Sequence, residues 1–370
     1  MPFPALRTRR RTRIAVVVTA ALALLAGGTA AALAVSTDSA SVARAAGSAR
    51  ATDTASQYIF VHDPTMAEED GTYYVFSTGD PAGNIGNGNI QIRTSRNLRD
   101  WSYTGTVFAA KPAWITNALG NIPNLWAPDI SYFNGLWHLY YAGSSFGSNN
   151  SVIGLATTPT LDPGSPRYHW TDDGLVFRSA SSDNYNAIDP SLVTGAGGSW
   201  WLVFGSYWSG IKLIGLDPAT GKPATSAPTI YSIAAKPFPD PEEGAGIVYH
   251  DGYYYLFAAV DTCCRGISST YHIQVGRSVS VTGPYSDAAG AAMSDGGMEV
   301  QGTDAGMIGR GSPFVFAARG GQDWLVYHYY DAYAGGDAWL QIRPLIWVGG
   351  WPVTGQPMVP VPGQPGPPGA

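Results

Sequence analysis

The chain has 370 residues, of which 45% are hydrophobic, 12% are aromatic and only 13% are charged. This composition excludes a disordered chain and provides enough apolar side chains for a large core. The 46 glycines and 27 prolines exclude an all-helical fold and favour many short strands joined by turns. The two cysteines and six histidines show no HExxH or paired-cysteine spacing, which argues against a disulfide scaffold and a protein-ligated zinc ion.

The first 50 residues differ from the remainder in charge and hydropathy. They carry seven arginines and one acid, whereas residues 51–370 carry 14 basic and 26 acidic side chains, a net charge of −12. A basic segment at 7–13 precedes an apolar run at 14–35 and an Ala-x-Ala signal at 43–45, the arrangement of a secretory signal peptide. We therefore expect a secreted protein, with retention by an uncleaved N-terminal anchor as the alternative. The mature body should bind neither membrane nor nucleic acid, because its negative charge repels phosphate backbones.

One aromatic pattern recurs five times in the body. After a glycine turn, each copy is a short alternating strand rich in Tyr, Trp and Phe, at residues 71–76, 135–141, 198–204, 252–257 and 321–327. The successive spacings of 64, 63, 53 and 71 residues are counted between the markers Tyr73, Trp137, Trp200, Tyr253 and Trp324. Each spacing allows a four-stranded antiparallel sheet with its loops. The repeat predicts an all-β fold, a five-bladed β-propeller, with a large β-sandwich as the alternative.

Carboxylates accompany four of the five repeats. The segment just before each aromatic strand would form the innermost strand of its blade, and four of these segments contain an acid, namely Asp63, Asp129, Asp189 and Glu243. Since equivalent positions of a radial fold converge on the central channel, we expect the four carboxylates to face one cavity. Like charges raise one another's pKa, so one carboxyl can stay protonated while another ionises, as acid/base hydrolysis of a glycoside requires. For any single Asp-Pro the alternative is a turn or a cap.

Nine collinear motifs run through the body. They are HDPTM (62–66), LWAPDISYFNG (125–135), FGSNNSVIGLAT (146–157), NAIDPSLV (186–193), FGSYWSGI (204–211), CCRG (263–266), STYHIQVGRS (269–278), YHYYD (327–331) and LQIRPLIW (340–347). Together they resemble the endo-alpha-1,5-L-arabinanases of glycoside hydrolase family 43 over about residues 57–353. The resemblance implies a five-bladed propeller that hydrolyses arabinan with inversion. We also expect an enzyme that acts on arabinan or arabino-oligosaccharides as a monomer and requires no cofactor.

The resemblance also implies roles for individual residues. Asp63 matches the general base, Glu243 the general acid, and Asp189 the carboxylate that orients and tunes the acid, while Glu242 competes as the acid because it is adjacent. Substrate-binding roles fall on Trp126, Asp129, Gly147, Asn186, Ala187, Ile188, Ser206, Tyr207 and Trp208. For each of these aromatic residues the alternative is core packing.

The sequence departs from the family pattern in the last blade. Ser312 stands where the family commonly has a His near a channel ion that is often calcium, and the preceding Arg310 could bring a cation instead. No metal ligand is therefore assigned, and a calcium or other channel ion would depend on water and carboxylates alone, a loose site. A small residue after Glu243 could widen the cleft for a variant substrate. Cys263 and Cys264 should be reduced or form a strained vicinal bridge, without a part in catalysis.

The sequence predicts three segments and leaves three alternative functions open. We expect a signal peptide and variable segment at 1–50, a catalytic propeller at 51–354 and a flexible Pro/Gly-rich tail at 355–370. One rival is an exo-acting or variant-substrate family 43 arabinosidase or xylosidase, and another is a non-catalytic carbohydrate-binding propeller. A serine esterase is the third, since residues 143–147 match GxSxG, although such an elbow must lead into a helix and residues 148–154 read as a loop and a strand.

Overall fold

The computed structural model describes Ser56 and residues 59–304, 306–318 and 321–361. The predicted signal peptide at 1–50 lies outside these residues. Within the described part of the chain, no helix has both the length and the apolar character needed to cross a membrane.

Strands dominate the described residues, which form five antiparallel sheets of four strands each. In chain order the strands are β1 (Thr65–Glu69), β2 (Thr72–Ser77), β3 (Gln91–Ser95), β4 (Ser102–Thr106), β5 (Leu125–Phe133), β6 (Leu136–Gly143), β7 (Ser151–Thr158), β8 (Thr171–Ser179), β9 (Ser191–Thr194), β10 (Trp200–Phe204), β11 (Ile211–Leu216), β12 (Tyr231–Ala234), β13 (Glu242–His250), β14 (Tyr253–Val260), β15 (His272–Ser278), β16 (Met298–Gln301), β17 (Met307–Ala317), β18 (Asp323–Asp331), β19 (Ala338–Val348) and β20 (Trp351–Thr354).

The five sheets form a closed ring. Each sheet contains four consecutive strands in chain order, so that β1, β5, β9, β13 and β17 each lie at one edge of their sheet. Each of these first strands contacts the first strands of both neighbouring sheets, including β17 with β1. The first strands therefore surround the centre, and the predicted five-bladed β-propeller is confirmed.

The recurring aromatic strands are the second strands of the five blades, β2, β6, β10, β14 and β18. Their aromatic side chains fill the core because every pair of neighbouring blades shares a hydrophobic cluster. Phe76 of blade 1 and Tyr141 of blade 2 belong to one such cluster, and Tyr255 of blade 4 and Tyr327 of blade 5 to another. Burying each large apolar side chain contributes about 1.5–3 kcal/mol, so the repeated pattern stabilises the contacts between blades.

Segments at both ends of the described chain pack on blade 5. The Val61 amide donates to the Ala338 carbonyl at 3.1 Å, and residues 59–61 lead directly into blade 1, so they join the first and last blades. The Met358 amide donates to the Ile342 carbonyl at 2.9 Å, and Val361 is buried. The prediction of a flexible tail is therefore wrong for residues 355–361, because apolar side chains among the prolines pack onto β19. Residues 362–370 lie outside the described part.

Helices are few and short in the described residues. Helix α1 (Ala113–Leu119) starts after Pro112 and ends at Gly120, whose φ of 78° a glycine adopts readily. Single 3-10 turns occur at Gly86–Gly88, Ala196–Gly198 and Gly266–Ser268. The GxSxG sequence at 143–147 is followed by a loop and then by β7, without the helix that a nucleophile elbow requires. This geometry excludes the alternative of a serine esterase.

One backbone feature is repeated in or just before every innermost strand. In each blade a residue there has a φ between 42° and 58°, namely Asp63, Ala127, Asp189, Gly244 and Ser312, and Gly309 in β17 has a second such φ of 56°. Proline follows four of the five residues, and the left-handed conformation interrupts strand pairing as a bulge in β5, β13 and β17. These five residues are therefore the structurally equivalent positions of the propeller, and the side chains at three of them line the cavity described below.

Candidate active site

Side chains from all five blades line one cavity of about 1190 Å³. Asp63, Trp126, Asp189, Glu243 and Ser312 come from blades 1 to 5 in that order. A typical small-molecule site has a volume of roughly 300–1,000 Å³, so this cavity is large enough for an extended ligand.

The structure brings most of the predicted site residues together. Those that line the cavity are Asp63, Trp126, Gly147, Asn186, Ile188, Asp189, Ser206, Tyr207, Trp208 and Glu243. Ala187 is fully buried and does not line the cavity, and its amide donates to Ser179 Oγ at 2.9 Å.

The expectation that four carboxylates face the cavity is wrong for Asp129. Its side chain is buried outside the cavity lining, and Oδ1 accepts a hydrogen bond from the Leu192 amide at 3.2 Å. Burial raises the pKa of Asp129 to about 7, although hydrogen bonds lower it in part. The physical reason is register, because Asp129 follows the left-handed Ala127 by two residues and pairs with Tyr140 inside the sheet. Asp129 therefore joins blades 2 and 3.

Asp63 is held by three side chains. Ser312 Oγ donates to Oδ1 at 2.5 Å, Thr78 Oγ donates to Oδ2 at 2.6 Å, and His62 Nδ1 lies 2.8 Å from Oδ2. Burial alone would raise the pKa of Asp63, but the charge and hydrogen bond of His62, together with Ser312, lower it well below its usual value. The Asp63 carboxylate is therefore ionised at neutral pH and can accept a proton.

Two histidines behind Asp63 were not predicted as site residues. The His62 ring stacks on His328 with centroids 3.8 Å apart, and the Asp63 amide donates to His328 Nδ1 at 3.2 Å. Burial lowers the pKa of His62, but the nearby Asp63 carboxylate and the Tyr330 hydroxyl raise it well above its usual value. Burial and the charge of His62 lower the pKa of His328. The sequence signals were the HDP and YHYYD motifs, to which no role was assigned.

Glu243 and Asp189 form the opposite part of the site. Ser206 Oγ donates to Glu243 Oε2, and the Gly244 amide donates to Asp189 Oδ2 at 3.0 Å. Burial raises the pKa of Glu243 to about 7; the hydrogen bond from Ser206 lowers it, and the negative charge of Asp63 raises it further. Burial and the charges of Glu243 and Asp63 also raise the pKa of Asp189. Glu243 can therefore carry a proton at neutral pH while Asp63 does not.

The competing acid Glu242 does not reach the cavity. Its side chain is fully buried, and neither carboxylate oxygen has a hydrogen-bond partner among the described residues. Adjacent residues of a strand point to opposite faces of the sheet, which places only one of Glu242 and Glu243 at the cavity. The choice of Glu243 as the candidate acid agrees with this arrangement.

Apolar surface surrounds the carboxyl groups. Trp208 is 38% exposed and follows Tyr207 in a turn where both residues have left-handed backbone conformations. Phe146 is 83% exposed and Phe238 is 94% exposed, and both line the cavity. Exposed aromatic rings in a cavity provide flat surfaces for sugar rings. Sequence reasoning missed both phenylalanines, because exposure within a loop has no periodic signal.

The side chains grouped around Asp63 do not offer the ligands that a calcium ion prefers. Calcium binds about 6–8 oxygen atoms, whereas the one candidate metal-binding group among the described residues is His62, Asp63 and His328, with a single carboxylate. Both His62 nitrogens have partners, Asp63 and Tyr330. His328 Nδ1 accepts from the Asp63 amide, and its buried Nε2 has no hydrogen-bond partner among the described residues, so this ring offers at most one nitrogen and no oxygen to an ion. These residues do not fit the calcium ion that the resemblance implies.

Two further sequence predictions have definite outcomes. Arg310 does not bring a cation to the site, because its guanidinium is buried against Gln301 and forms an ion pair with Asp304. Cys263 and Cys264 form a vicinal disulfide with a Cα–Cα distance of 3.8 Å, and both residues line the cavity.

Comparison with known proteins agrees with this geometry. The family described as "Glycosyl hydrolases family 43" matches residues 58–352. The chain is 43% identical over 301 residues to the extracellular endo-alpha-(1->5)-L-arabinanase 1 of Bacillus subtilis, covering 79% of this chain and 87% of that protein. It is 38% identical over 308 residues to the extracellular exo-alpha-(1->5)-L-arabinofuranosidase ArbA of Cellvibrio japonicus, covering 79% and 85% of the two chains.

Solved structures show the same fold. The Cellvibrio cellulosa alpha-L-arabinanase complexed with arabinohexaose superposes with a TM-score of 0.75 at 38% identity, covering 80% of this chain and 96% of that chain. The native Bacillus subtilis arabinanase Arb43A superposes with a TM-score of 0.72 at 42% identity, covering 82% of this chain and 100% of that chain. The chain, with its carboxyl groups gathered in one propeller cavity, belongs to glycoside hydrolase family 43 and is a glycoside hydrolase.

Proposed function

We propose that this enzyme hydrolyses the alpha-1,5-L-arabinofuranosyl bonds of arabinan with inversion. The proposal rests on one observation, that two carboxyl groups in the same cavity have pKa values shifted in opposite directions. The pKa of Asp63 is lowered and the pKa of Glu243 is raised to about 7. A pair of carboxyl groups with pKa values moved apart matches the needs of a general base and a general acid.

The proposed reaction has one displacement step. The Asp63 carboxylate removes a proton from water, the water oxygen attacks the anomeric carbon, and Glu243 donates its proton to the leaving glycosidic oxygen. Asp189 orients the acid through the Gly244 amide, and its negative charge, when present, favours the protonated form of Glu243. No covalent intermediate and no metal-bound step enters this scheme.

Hydrolysis within the chain is the proposed mode of attack. The cavity of about 1190 Å³ has room for more than one sugar unit, and its aromatic residues Phe146, Trp208 and Phe238 offer separate flat surfaces. The relatives include one protein named for endo action and one named for exo action, so an exo-acting enzyme is the second candidate. A non-catalytic binding propeller is disfavoured, because sugar binding alone does not require the pKa values of Asp63 and Glu243 to be shifted in opposite directions.

Export from the cell is part of the proposal. The predicted signal peptide at 1–50 lies outside the described residues, and support comes from two relatives named as extracellular proteins. The Cys263–Cys264 disulfide is also typical of oxidising compartments. We propose that the exported enzyme acts as a monomer, since residues of one chain from all five blades line the cavity.

Product analysis tests the function. Purified enzyme is incubated with linear arabinan, and products are sized over time while the anomeric configuration of the first products is followed by proton NMR. Mixed oligosaccharides with inverted anomeric configuration are expected first. Arabinose as the sole early product would establish exo action instead, and retained configuration would overturn the assignment of Asp63 as a base. The Glu243→Gln variant serves as the inactive control.

A further inference from the structure

Residues from three blades meet beside Asp63. Asp63 and His62 precede β1 of blade 1, Tyr330 lies on β18 of blade 5, and Cys264 lies in the loop after β14 of blade 4. His62 Nδ1 is 2.8 Å from Asp63 Oδ2, and His62 Nε2 is 2.8 Å from the Tyr330 hydroxyl oxygen. The Cys264 amide donates to the same hydroxyl oxygen at 2.8 Å. A continuous series of hydrogen bonds therefore runs from the disulfide loop to the carboxylate.

The disulfide constrains the amide at the start of this series. A bond between adjacent cysteines closes a small ring that includes the peptide linking them, so it restricts the backbone of both residues. Cys264 has a φ of 66°, a conformation that residues other than glycine seldom adopt. Its amide points at Tyr330 in this conformation. Cys264 Sγ also lies 3.9 Å from His62 Nε2, so the disulfide contacts the ring at this nitrogen.

The Tyr330 hydroxyl oxygen can accept hydrogen bonds from both His62 and the Cys264 amide. When His62 carries its second proton, Nδ1–H donates to Asp63 and Nε2–H donates to Tyr330. The tyrosine oxygen has two lone pairs and accepts from the Cys264 amide as well. Loss of the Cys264 contact would remove one of the two hydrogen bonds that fix the tyrosine hydroxyl, and the position of the imidazole would shift with that hydroxyl. Stacking on His328 would still hold the His62 ring in the cavity wall.

We propose that the Cys263–Cys264 disulfide and Tyr330 are positioning groups for the general base. They act through His62, whose ring orients the Asp63 carboxylate toward the attacking water. The inference rests on the proposed function, since it assumes that Asp63 is the base. A misplaced base slows proton removal in the transition state while leaving substrate contacts in place, so the effect should fall on kcat and leave KM nearly unchanged.

The disulfide is accessible to a small reductant. Cys264 is exposed, Cys263 is partly exposed and both line the cavity. A dithiol such as dithiothreitol attacks one Sγ, and the sulfur–sulfur bond is replaced by two thiols. Two electrons and two protons pass to the protein, and the reagent closes to its cyclic disulfide. The chain has two cysteines, so a thiol count of two per chain reports complete reduction of this one bond.

The first experiment compares oxidised and reduced enzyme on linear arabinan. Reduction is verified by thiol titration, and retention of the propeller is verified by circular dichroism. We expect kcat to fall about tenfold or more, because small displacements of a catalytic group have effects of that size or larger. KM should change less than twofold, and reoxidation should restore kcat. A Cys263→Ala/Cys264→Ala double variant is the matched control, since its kcat should be low and should not respond to the dithiol.

The second experiment tests whether the effect passes through Tyr330. Tyr330→Phe removes the hydroxyl that links Cys264 to His62, so its kcat should already be low, and reduction should lower it by less than twofold further. Fully reduced wild-type enzyme with unchanged kcat would overturn the proposal. Equal effects of reduction in wild-type and Tyr330→Phe enzyme would also overturn it. Asp63→Asn distinguishes failure of the positioning role from failure of the proposed function, because an active Asp63→Asn enzyme refutes the proposed function itself.

Discussion

Ser312 Oγ donates a 2.5 Å hydrogen bond to Asp63 Oδ1, across a separation of 249 residues in the chain. Both residues occupy the left-handed position of their blades, with φ of 49° and 50°. Backbone conformations of this kind cost about 1–3 kcal/mol each and cluster at functional sites. The equivalent positions of blades 5 and 1 are thus joined directly at the proposed base.

Removing this contact should weaken the base in a measurable way. Hydrogen bonds to charged groups contribute about 1.5–3 kcal/mol, so Ser312→Ala should raise the pKa of Asp63 by about one unit or more. Since Asp63 must be ionised to act, the acid limb of kcat/KM should move to higher pH. The measurement is kcat/KM on arabino-oligosaccharides from pH 2 to 5, because the lowered pKa of Asp63 places the wild-type limb at or below the acid end of this range. Ser148→Ala is the control, because Ser148 also lines the cavity but its oxygen accepts from the Asn150 amide. In this variant the acid limb of kcat/KM should not move. An unmoved limb in Ser312→Ala would refute the prediction.

The two adjacent glutamates offer a matched pair of variants. Glu243 lines the cavity, whereas Glu242 is fully buried outside it. Glu243→Gln should lower turnover by about 10²–10⁴-fold, the usual contribution of a general acid. Glu242→Gln should keep turnover within a few-fold, because it keeps the size of the side chain and removes a group that is costly to ionise. Turnover numbers on linear arabinan decide the question, and loss of activity in Glu242→Gln alone would move the acid by one position.

The basic limb of the pH profile should follow Glu243. Burial, opposed by the Ser206 hydrogen bond and aided by the charge of Asp63, raises the pKa of Glu243 to about 7. The acid works only when protonated, so kcat/KM should fall as pH rises through that value. The lowered pKa of Asp63 keeps the base ionised throughout this range. The profile is measured from pH 5 to 9, with Glu242→Gln expected to retain the same limb. A constant kcat/KM up to pH 9 would contradict the assigned acid.

Strand content and blade number were predictable because their signals are local. Each aromatic pattern is contiguous, and alternation of buried side chains is a property of the strand itself. Strand β14, for example, contains residues 253–257 of the predicted segment at 252–257 and buries Tyr255 and Phe257. The five second strands therefore appeared in the sequence with nearly their observed bounds.

The register of the carboxylates was less predictable. A left-handed residue in or just before each innermost strand decides which side chains reach the channel, and Asp129 lies two residues beyond Ala127. A proline after the left-handed residue, as at Pro64 and Pro128, was the available signal. The contact between the Asp63 amide and His328 joins residues 265 positions apart and had no local signal. Such contacts depend on closure of the ring, which brings blade 5 against blade 1.

Removal of divalent metal should have little effect on this enzyme. The groups around Asp63 are two imidazoles and a serine that donates to the carboxylate, so they do not supply the oxygen ligands that calcium needs. Activity and melting temperature should therefore be unchanged after treatment with EDTA and removal of the chelate by gel filtration. Calcium added back should also have no effect. A large, calcium-reversible loss of turnover would show that a channel ion is bound without the histidine.

Phe238 should determine how well long substrates bind. Its ring is 94% exposed at the cavity. Two hydrogen bonds hold its loop. The Asp240 amide donates to the Pro237 carbonyl at 2.9 Å, and Asp240 Oδ1 accepts from the Lys236 amide at 2.6 Å. A fixed loop presenting an exposed aromatic ring is suited to stacking against a sugar unit at low entropic cost.

Phe238→Ala should therefore raise KM for linear arabinan by roughly 5- to 30-fold, which corresponds to about 1–2 kcal/mol of lost stacking and apolar contact. The shortest cleavable oligosaccharides should show a smaller change in KM, because they need not extend to this ring, and kcat should stay within twofold for both. Val279→Ala is the matched control, since Val279 is 75% exposed and lies outside the cavity lining. Initial rates on arabinan and on a series of arabino-oligosaccharides give the comparison. Equal KM values for wild-type and Phe238→Ala enzyme at every chain length would show that the ring does not contact substrate.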